Sequence, residues 1–237
     1  MKLTDFKVMT FDVVGTLIDF EQGVLKAVRA LGGEKAAAAS DDEIFEPYKR
    51  GRDKFYGRSS FAMKDVYLSL AAECGFKHDQ ATADAFQLSV LRWPAFADSA
   101  EALRRLRQNY RLMAMTNADR TAFSAYSATL GDPFHDSVTC DEAGCAKPNP
   151  QFFAFARGRL SVAGYKQSEI LHVAQSQHHD IGVAKELGYT TCWIERRQGM
   201  RGFGGTPAPK VLTTPDYHFS SLEQLADAVD RERAAAK

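Results

Sequence analysis

The chain has no net charge to offer a polyanion: among its 237 residues, 30 Lys and Arg balance 30 Asp and Glu. A nucleic-acid or anionic-membrane surface needs a basic excess, so neither partner is expected. No apolar run is long enough to span a bilayer, and the first residues show no signal-peptide pattern. Cysteine is scarce. Cys74, Cys140, Cys145 and Cys192 have no CxxC spacing and read as reduced, mostly structural thiols of a cytoplasmic protein. No internal repeat is present, and no low-complexity tract beyond Ala36 to Ala39. The glycine-rich stretch Gly199 to Gly205 lacks the strand–GxGxxG–helix setting of a nucleotide site, so it implies no cofactor, and its role is left open.

What is there is enough for a core. Hydrophobic residues make up 45% and charged residues 25%, which fits one large domain or a core with an inserted subdomain. The organising stretch is Lys7-Val8-Met9-Thr10-Phe11-Asp12-Val13-Val14-Gly15-Thr16-Leu17. Its β-rich apolar run has the character of a strand buried on both faces. The run stops at an acid, and Gly15 then permits a sharp turn. An open α/β sheet places its chemistry just beyond the carboxyl ends of its strands. There Asp12 could be a nucleophile, a metal ligand or a general base, or simply a turn residue.

From about Ile18 to Trp93 the pattern is helical throughout. Glu21 to Leu31 is amphipathic and ends at Gly32-Gly33; Ser40-Asp41-Asp42-Glu43 has the form of a capping box opening a helix to about Tyr56. Further helices are expected over Ser60 to Cys74 and Thr82 to Arg92, with Trp93-Pro94-Ala95-Phe96 as a return linker. This reads as a helical cap over residues 19–93, inserted into an α/β core of residues 1–18 and 94–237. In the core, strands are expected at Arg111 to Thr116, Ser137 to Cys140, Ile170 to Ala174, Thr190 to Ile194 and, weakly, Tyr217 to Phe219. Helices alternate with them: one capped by Ser99, then Arg120 to Leu130, Pro150 to Leu160, His179 to Leu187 and a last one capped at Ser220-Ser221. That alternation implies a doubly wound, Rossmann-like parallel sheet with helices on both faces.

Polar residues collect after the strands. Asp12 and Thr16 follow the first, Thr116 and Asn117 the second, Lys147 the third, and Gln175 to Asp180 the fourth. Each has a bland alternative as a cap or a solvated charge. Their joint placement at one sheet edge points to a site.

This constellation resembles the haloacid dehalogenase superfamily. Phe11 to Leu17 resembles its nucleophile loop, Met115-Thr116-Asn117 its second motif, Lys147-Pro148 its third, and His172 to Ser176 with Asp180 its fourth. The resemblance implies a hydrolase in which Asp12 attacks the substrate covalently. Most such enzymes are magnesium-dependent phosphatases with a second Asp two residues after the nucleophile and a Gly-Asp-Ser fourth motif. Here those positions are Val14 and Ala174-Gln175-Ser176. Val14 cannot donate a proton, and magnesium prefers carboxylate oxygens. No cofactor is therefore expected, magnesium entering only if a phosphatase reading holds.

The resemblance to 2-haloacid dehalogenases implies displacement at carbon of a small 2-substituted carboxylic acid, through an ester on Asp12. In that reading Lys147 holds Asp12 ionised, Thr16, Thr116 and Asn117 hydrogen-bond the nucleophile or substrate, and Asp180 orients Lys147 or activates water. Substrate contacts are expected from Arg50 on the cap, with Arg52 second, and from Val14, Ser176 and His179. The fourth motif also resembles hydrolases that open strained rings on small acids, in which His178 or His179 would supply a proton. A catalytically weak homologue is a further alternative. The partner expected is a small carboxylate; a homodimer stays open.

Overall fold

The computed structural model describes residues 1–55 and 60–236. Six strands form one sheet: β1 (Val8–Phe11), β2 (Arg111–Thr116), β3 (Asp136–Thr139), β4 (Ile170–Ala174), β5 (Thr190–Ile194) and β6 (Tyr217–Phe219). They run parallel in the order β3-β2-β1-β4-β5-β6. β1 and β4 are central and buried at every residue, including the polar Thr10 and His172 among otherwise apolar side chains. The strand order reverses at β1, so the crevice beyond its carboxyl end lies at the switch point of the sheet, where such folds bind ligands.

Among the described residues the insert between β1 and Trp93 holds five helices: α1 (Phe20–Leu31), α2 (Glu34–Ala37), α3 (Asp41–Lys54), α4 (Met63–Cys74) and α5 (Gln80–Ser89). The capping box at Ser40 forms as read, its hydroxyl accepting from Glu43 N and the Glu43 carboxylate accepting from Ser40 N. The expected end of that helix at Tyr56 lies outside the described residues. The helix expected from Ser60 begins instead with a short 3-10 turn, Ser60–Ala62. One apolar cluster runs from Phe11, Leu112 and Val173 on the sheet through Trp93 and Phe20 to Tyr48, Tyr67 and Phe86 of the insert. The second cluster, on the other face, packs Val8, Met113 and Ile170 against Phe152 and Phe153.

The remaining helices alternate with strands: α6 (Ser99–Arg107), α7 (Arg120–Thr129), α8 (Cys140–Ala143), α9 (Pro150–Val162), α10 (Gly182–Glu186) and α11 (Leu222–Ala235). Two local expectations are corrected. Ser99 does not cap α6: it is buried, and its hydroxyl donates to Leu17 O at 2.9 Å. The helix expected from His179 begins as a π-helical turn, Gln177–Ile181, in which Ser176 O accepts from both Asp180 N and Ile181 N. The extra residue in this turn brings His178, His179 and Asp180 to the same cavity wall. Among the described residues no helix is long and apolar enough to cross a membrane.

Candidate active site

Asp12 lies one residue past β1, where its backbone N–H still donates to Val173 O. Beyond it Gly15, at φ +94°, turns the chain back so that Gly15 N meets Ile18 O. That turn brings the Thr16 hydroxyl onto Asp12 Oδ2 at 2.5 Å, while Gln175 N donates to the same hydroxyl oxygen at 2.8 Å. The other carboxylate oxygen, Asp12 Oδ1, accepts from Lys147 Nζ at 2.8 Å. The lysine also donates to Asp180 Oδ1 at 2.6 Å and to Met115 O at 2.8 Å. Lys147 is 1% exposed, Asp12 5% and Asp180 fully buried, so one ammonium is shared by two desolvated carboxylates.

These charges set one another. Burial pushes the Asp12 carboxyl up and Lys147 pulls it down; Asp180 adds to the rise, and the group ends above the ordinary carboxylate value. Burial also pushes Asp180 up, but Lys147 and His172 outweigh it and hold Asp180 at about 2. Lys147 is raised: burial works against its charge, and the two carboxylates overcome it. The site is therefore a fixed cation between two anions, with Asp12 as the more basic carboxylate.

Above Asp12 opens a cavity of about 700 Å³. Asp12, Lys147, Asp180, Ser176 and His179 form its polar floor, and Val14, Met63, Val90, Trp93 and Tyr126 much of its apolar wall. The insert contributes Tyr48, Arg52 and Asp53 from α3; the loop after β5 contributes Gly205, Thr206 and Pro207. The stretch Gly199 to Gly205 is thus part of the cavity's surroundings. Its end is pinned to the insert, because Glu21 accepts from Gly205 N at 2.8 Å and pairs with Arg197.

Several expected residues stand elsewhere. Arg50 faces away, exposed and paired with Glu73, so the structure gives it no contact with the cavity. Arg52 takes that place because it follows the buried Tyr48 by four residues, one turn along the same helix face. That spacing was a signal available in the sequence. Asn117 lines the cavity, but its amide does not bond Asp12. Its amide instead holds the Lys147 backbone at both ends, Oδ1 accepting from Lys147 N at 2.7 Å and Nδ2 donating to Lys147 O at 2.9 Å. Thr116 is buried and accepts from Ala118 N, shaping the loop without reaching the cavity. Ser176 and His179 do line it and bond each other, Oγ to Nδ1 at 3.1 Å and Oγ from His179 N at 2.9 Å. Burial holds the His179 ring down to about 4, so it is neutral near pH 7.

The donor set fits magnesium poorly. Asp12 Oδ1 and Asp180 Oδ1 both already accept from Lys147, and the nearby side chains that would add charge are an apolar Val14 and a neutral Gln175 amide, which leaves Asp180 Oδ2 and Gln175 Oε1 as oxygens without a partner among the described residues. Among the described residues no three His, Cys, Asp or Glu side chains group to hold a metal.

The chain has relatives among known enzymes. An (S)-2-haloacid dehalogenase of Pseudomonas putida is 22% identical over 197 residues, covering 81% of this chain and 85% of that one. A 5-amino-6-(5-phospho-D-ribitylamino)uracil phosphatase of Escherichia coli is 26% identical over 217 residues, covering 81% and 84%. The solved L-2-haloacid dehalogenase of Xanthobacter autotrophicus with chloropropionic acid covalently bound superposes with a TM-score of 0.72 at 18% identity, over 95% of this chain and 98% of that one. The sequence itself matches the haloacid dehalogenase-like hydrolase family over residues 6–188, from the strand before Asp12 to the glycine after α10. On that match, and with the fold and the Asp12–Lys147–Asp180 centre in place, the chain belongs to the haloacid dehalogenase-like hydrolases.

Proposed function

We propose that the chain hydrolyses a small 2-substituted carboxylic acid at C2, using Asp12 as nucleophile and helices α1–α5 as a cap over the substrate. The observation that carries this reading is the charge arrangement: the Lys147 ammonium donates to Asp12, and Val14 stands where a proton-donating acid would serve an alkoxide leaving group. A halide leaves as a stable anion and needs no proton. One Asp12 oxygen forms a bond to C2 as the carbon–halogen bond breaks. Water then attacks the carboxyl carbon of the resulting ester and releases the 2-hydroxy acid. Asp180 Oδ2, which has no partner among the described residues, takes the proton of that water. Arg52 on the cap wall grips the substrate carboxylate. The covalently bound chloropropionic acid in the structurally similar Xanthobacter enzyme supports the same chemistry here.

Ring opening is the weaker alternative, because its leaving heteroatom needs a proton and His179, held near 4, is neutral at the relevant pH. A phosphatase reading draws on the similarity to the Escherichia coli phosphatase. A panel of 2-haloacids, strained-ring acids and phosphate esters, each with and without EDTA, separates the three. Turnover of a 2-haloacid that survives chelation is the expected result. Turnover confined to phosphate esters and abolished by EDTA refutes it.

A further inference from the structure

β4 would be an ordinary buried apolar strand but for His172. Its neighbours are Ile170, Leu171, Val173 and Ala174, and the imidazole is fully buried among them. A buried polar ring is costly unless both nitrogens are satisfied. Here both are. Nε2 lies 3.1 Å from Asp180 Oδ1, and Nδ1 lies 2.9 Å from Thr10 Oγ1. The sheet register makes this possible: Thr10 of β1 sits directly opposite His172 of β4, and Thr10 precedes Asp12 by two, so both point to the same face. The ring is also clamped edgewise by Phe153 and Tyr189, with centroids 5.5 and 6.3 Å away. Tyr189 is tied to the same helix by its hydroxyl, which donates to Phe153 O.

The hydrogen-bond directions follow from the partners. Lys147 and His172 together hold Asp180 ionised against the push of burial. A carboxylate only accepts, so Nε2 carries the hydrogen. Nδ1 is then satisfied as an acceptor by the Thr10 hydroxyl, and the ring needs no charge. Asp180 Oδ1 thus takes two donors, Lys147 Nζ and His172 Nε2, while Oδ2 has none among the described residues.

We propose that His172 is a positioning residue for the hydrolytic half of the reaction: as the neutral Nε2–H tautomer set by the Asp180 carboxylate, with its ring held in place by Thr10, it locks Asp180 with Oδ2 presented to the water that opens the Asp12 ester. In that step water oxygen bonds to the Asp12 carboxyl carbon, and its proton passes to Asp180 Oδ2. The acyl–oxygen bond to the substrate then breaks, and the departing alkoxide takes the proton back. His172 gives up no proton in this cycle. Its contribution is orientation, so its loss slows ester decay and leaves ester formation, which needs Asp12 and Lys147, largely untouched. This kinetic claim rests on the ester mechanism proposed above; the tautomer claim does not.

Two measurements on the full chain test it. The first needs no substrate: nitrogen-15 NMR of labelled histidines, with the His172 signals assigned by their loss in His172→Gln. A neutral ring protonated at Nε2 is expected; protonation at Nδ1, or a doubly protonated ring at working pH, overturns the proposal. The second is rapid-quench mass spectrometry of the Asp12 ester during turnover of a 2-haloacid. His172→Leu is expected to slow ester decay about tenfold or more, the scale of one lost hydrogen bond to a charged group, with ester accumulating and its formation little changed. His172→Gln, whose amide N–H can reach Asp180 from a similar place, should recover most of the rate. Wild-type ester decay in His172→Leu, or equal impairment in Leu and Gln variants, overturns it. If His172→Leu does not fold, Thr10→Val takes its place. It removes the hydrogen bond at Nδ1, so the Nδ1 signal should shift while Nε2 keeps its hydrogen, and the loosened ring should slow decay in the same direction; an unchanged Nδ1 signal with unchanged decay contradicts the account. A wild type that never carries the ester refutes the ester mechanism instead, and the NMR result still decides the tautomer.

Discussion

Arg52 and Arg50 are two residues apart and have opposite expected behaviours. Arg52 lines the cavity, so Arg52→Ala should lower kcat/KM by about 2–4 kcal/mol equivalent, mostly through KM, as when one partner of a desolvated charge pair is removed. Arg52→Lys should recover only part, since the planar fork is lost. Arg50→Ala, breaking an exposed pair with Glu73, should leave steady-state kinetics unchanged. At Asp12 the sign of the pH dependence follows from burial. The carboxyl is raised above 3.8 and acts only when ionised, so kcat/KM should fall with pH through an acid limb lying above that value. His179 should add no limb near 6.5, because it titrates at about 4; a pH profile of His179→Gln with the wild-type shape checks this. The residues that motif order alone could reveal were Asp12, Thr16, Lys147 and Asp180, each fixed to its strand end. The Thr10–His172 pair was invisible. A histidine inside an apolar strand gains meaning only once register sets a hydroxyl opposite it.

Two loops tie the elements around the cavity. Arg196, two residues past β5, donates to Thr16 O at 2.9 Å and pairs through Nη1 with both oxygens of Asp98 at 2.9 and 2.8 Å. Asp98 also accepts from Leu222 N at the start of α11. One largely buried pair thus links the nucleophile loop, the start of α6 and the last helix. Asp98→Ala leaves that arginine uncompensated and should cost about 3–5 kcal/mol by denaturant unfolding, the range for a broken buried pair. The glycine-rich loop has less freedom than its composition suggests. A Cβ on Gly205 would stand 2.7 Å from the Phe20 ring, so Gly205→Ala should destabilise by about 1–3 kcal/mol and change KM more than kcat as the cavity wall shifts. Strands 111–116, 170–174 and 190–194 were legible because compact apolar runs mark them, whereas Tyr217-His218-Phe219, only half-buried, gave a weak signal. The π-helical turn was not, since an inserted residue leaves hydrophobic periodicity no trace over so short a helix. Nor was the true role of Ser99, whose partner Leu17 O lies 82 residues away in sequence.

For the whole molecule, the fold class followed from the alternation of strands and helices, and the site from what stood at the strand ends. The cavity needed the fold, because helix α3 and the loop at 205–207 reach it from either end of the sequence. The account requires that the assembled site work by carbon chemistry without a metal, and exhaustive chelation should leave turnover of a 2-haloacid unchanged. Lys147→Ala, by contrast, should abolish turnover, and added magnesium should not restore it. The most direct test is turnover in heavy-oxygen water with mass spectrometry of the Asp12 peptide. An alkyl ester is opened by water at its acyl carbon, so the solvent oxygen must enter the Asp12 carboxylate in the first turnover and reach product only in later ones. An aspartyl phosphate is opened at phosphorus and leaves Asp12 unlabelled. Label in Asp12 during chelated turnover is the predicted result; first-turnover label in product, with Asp12 unlabelled, would contradict the account.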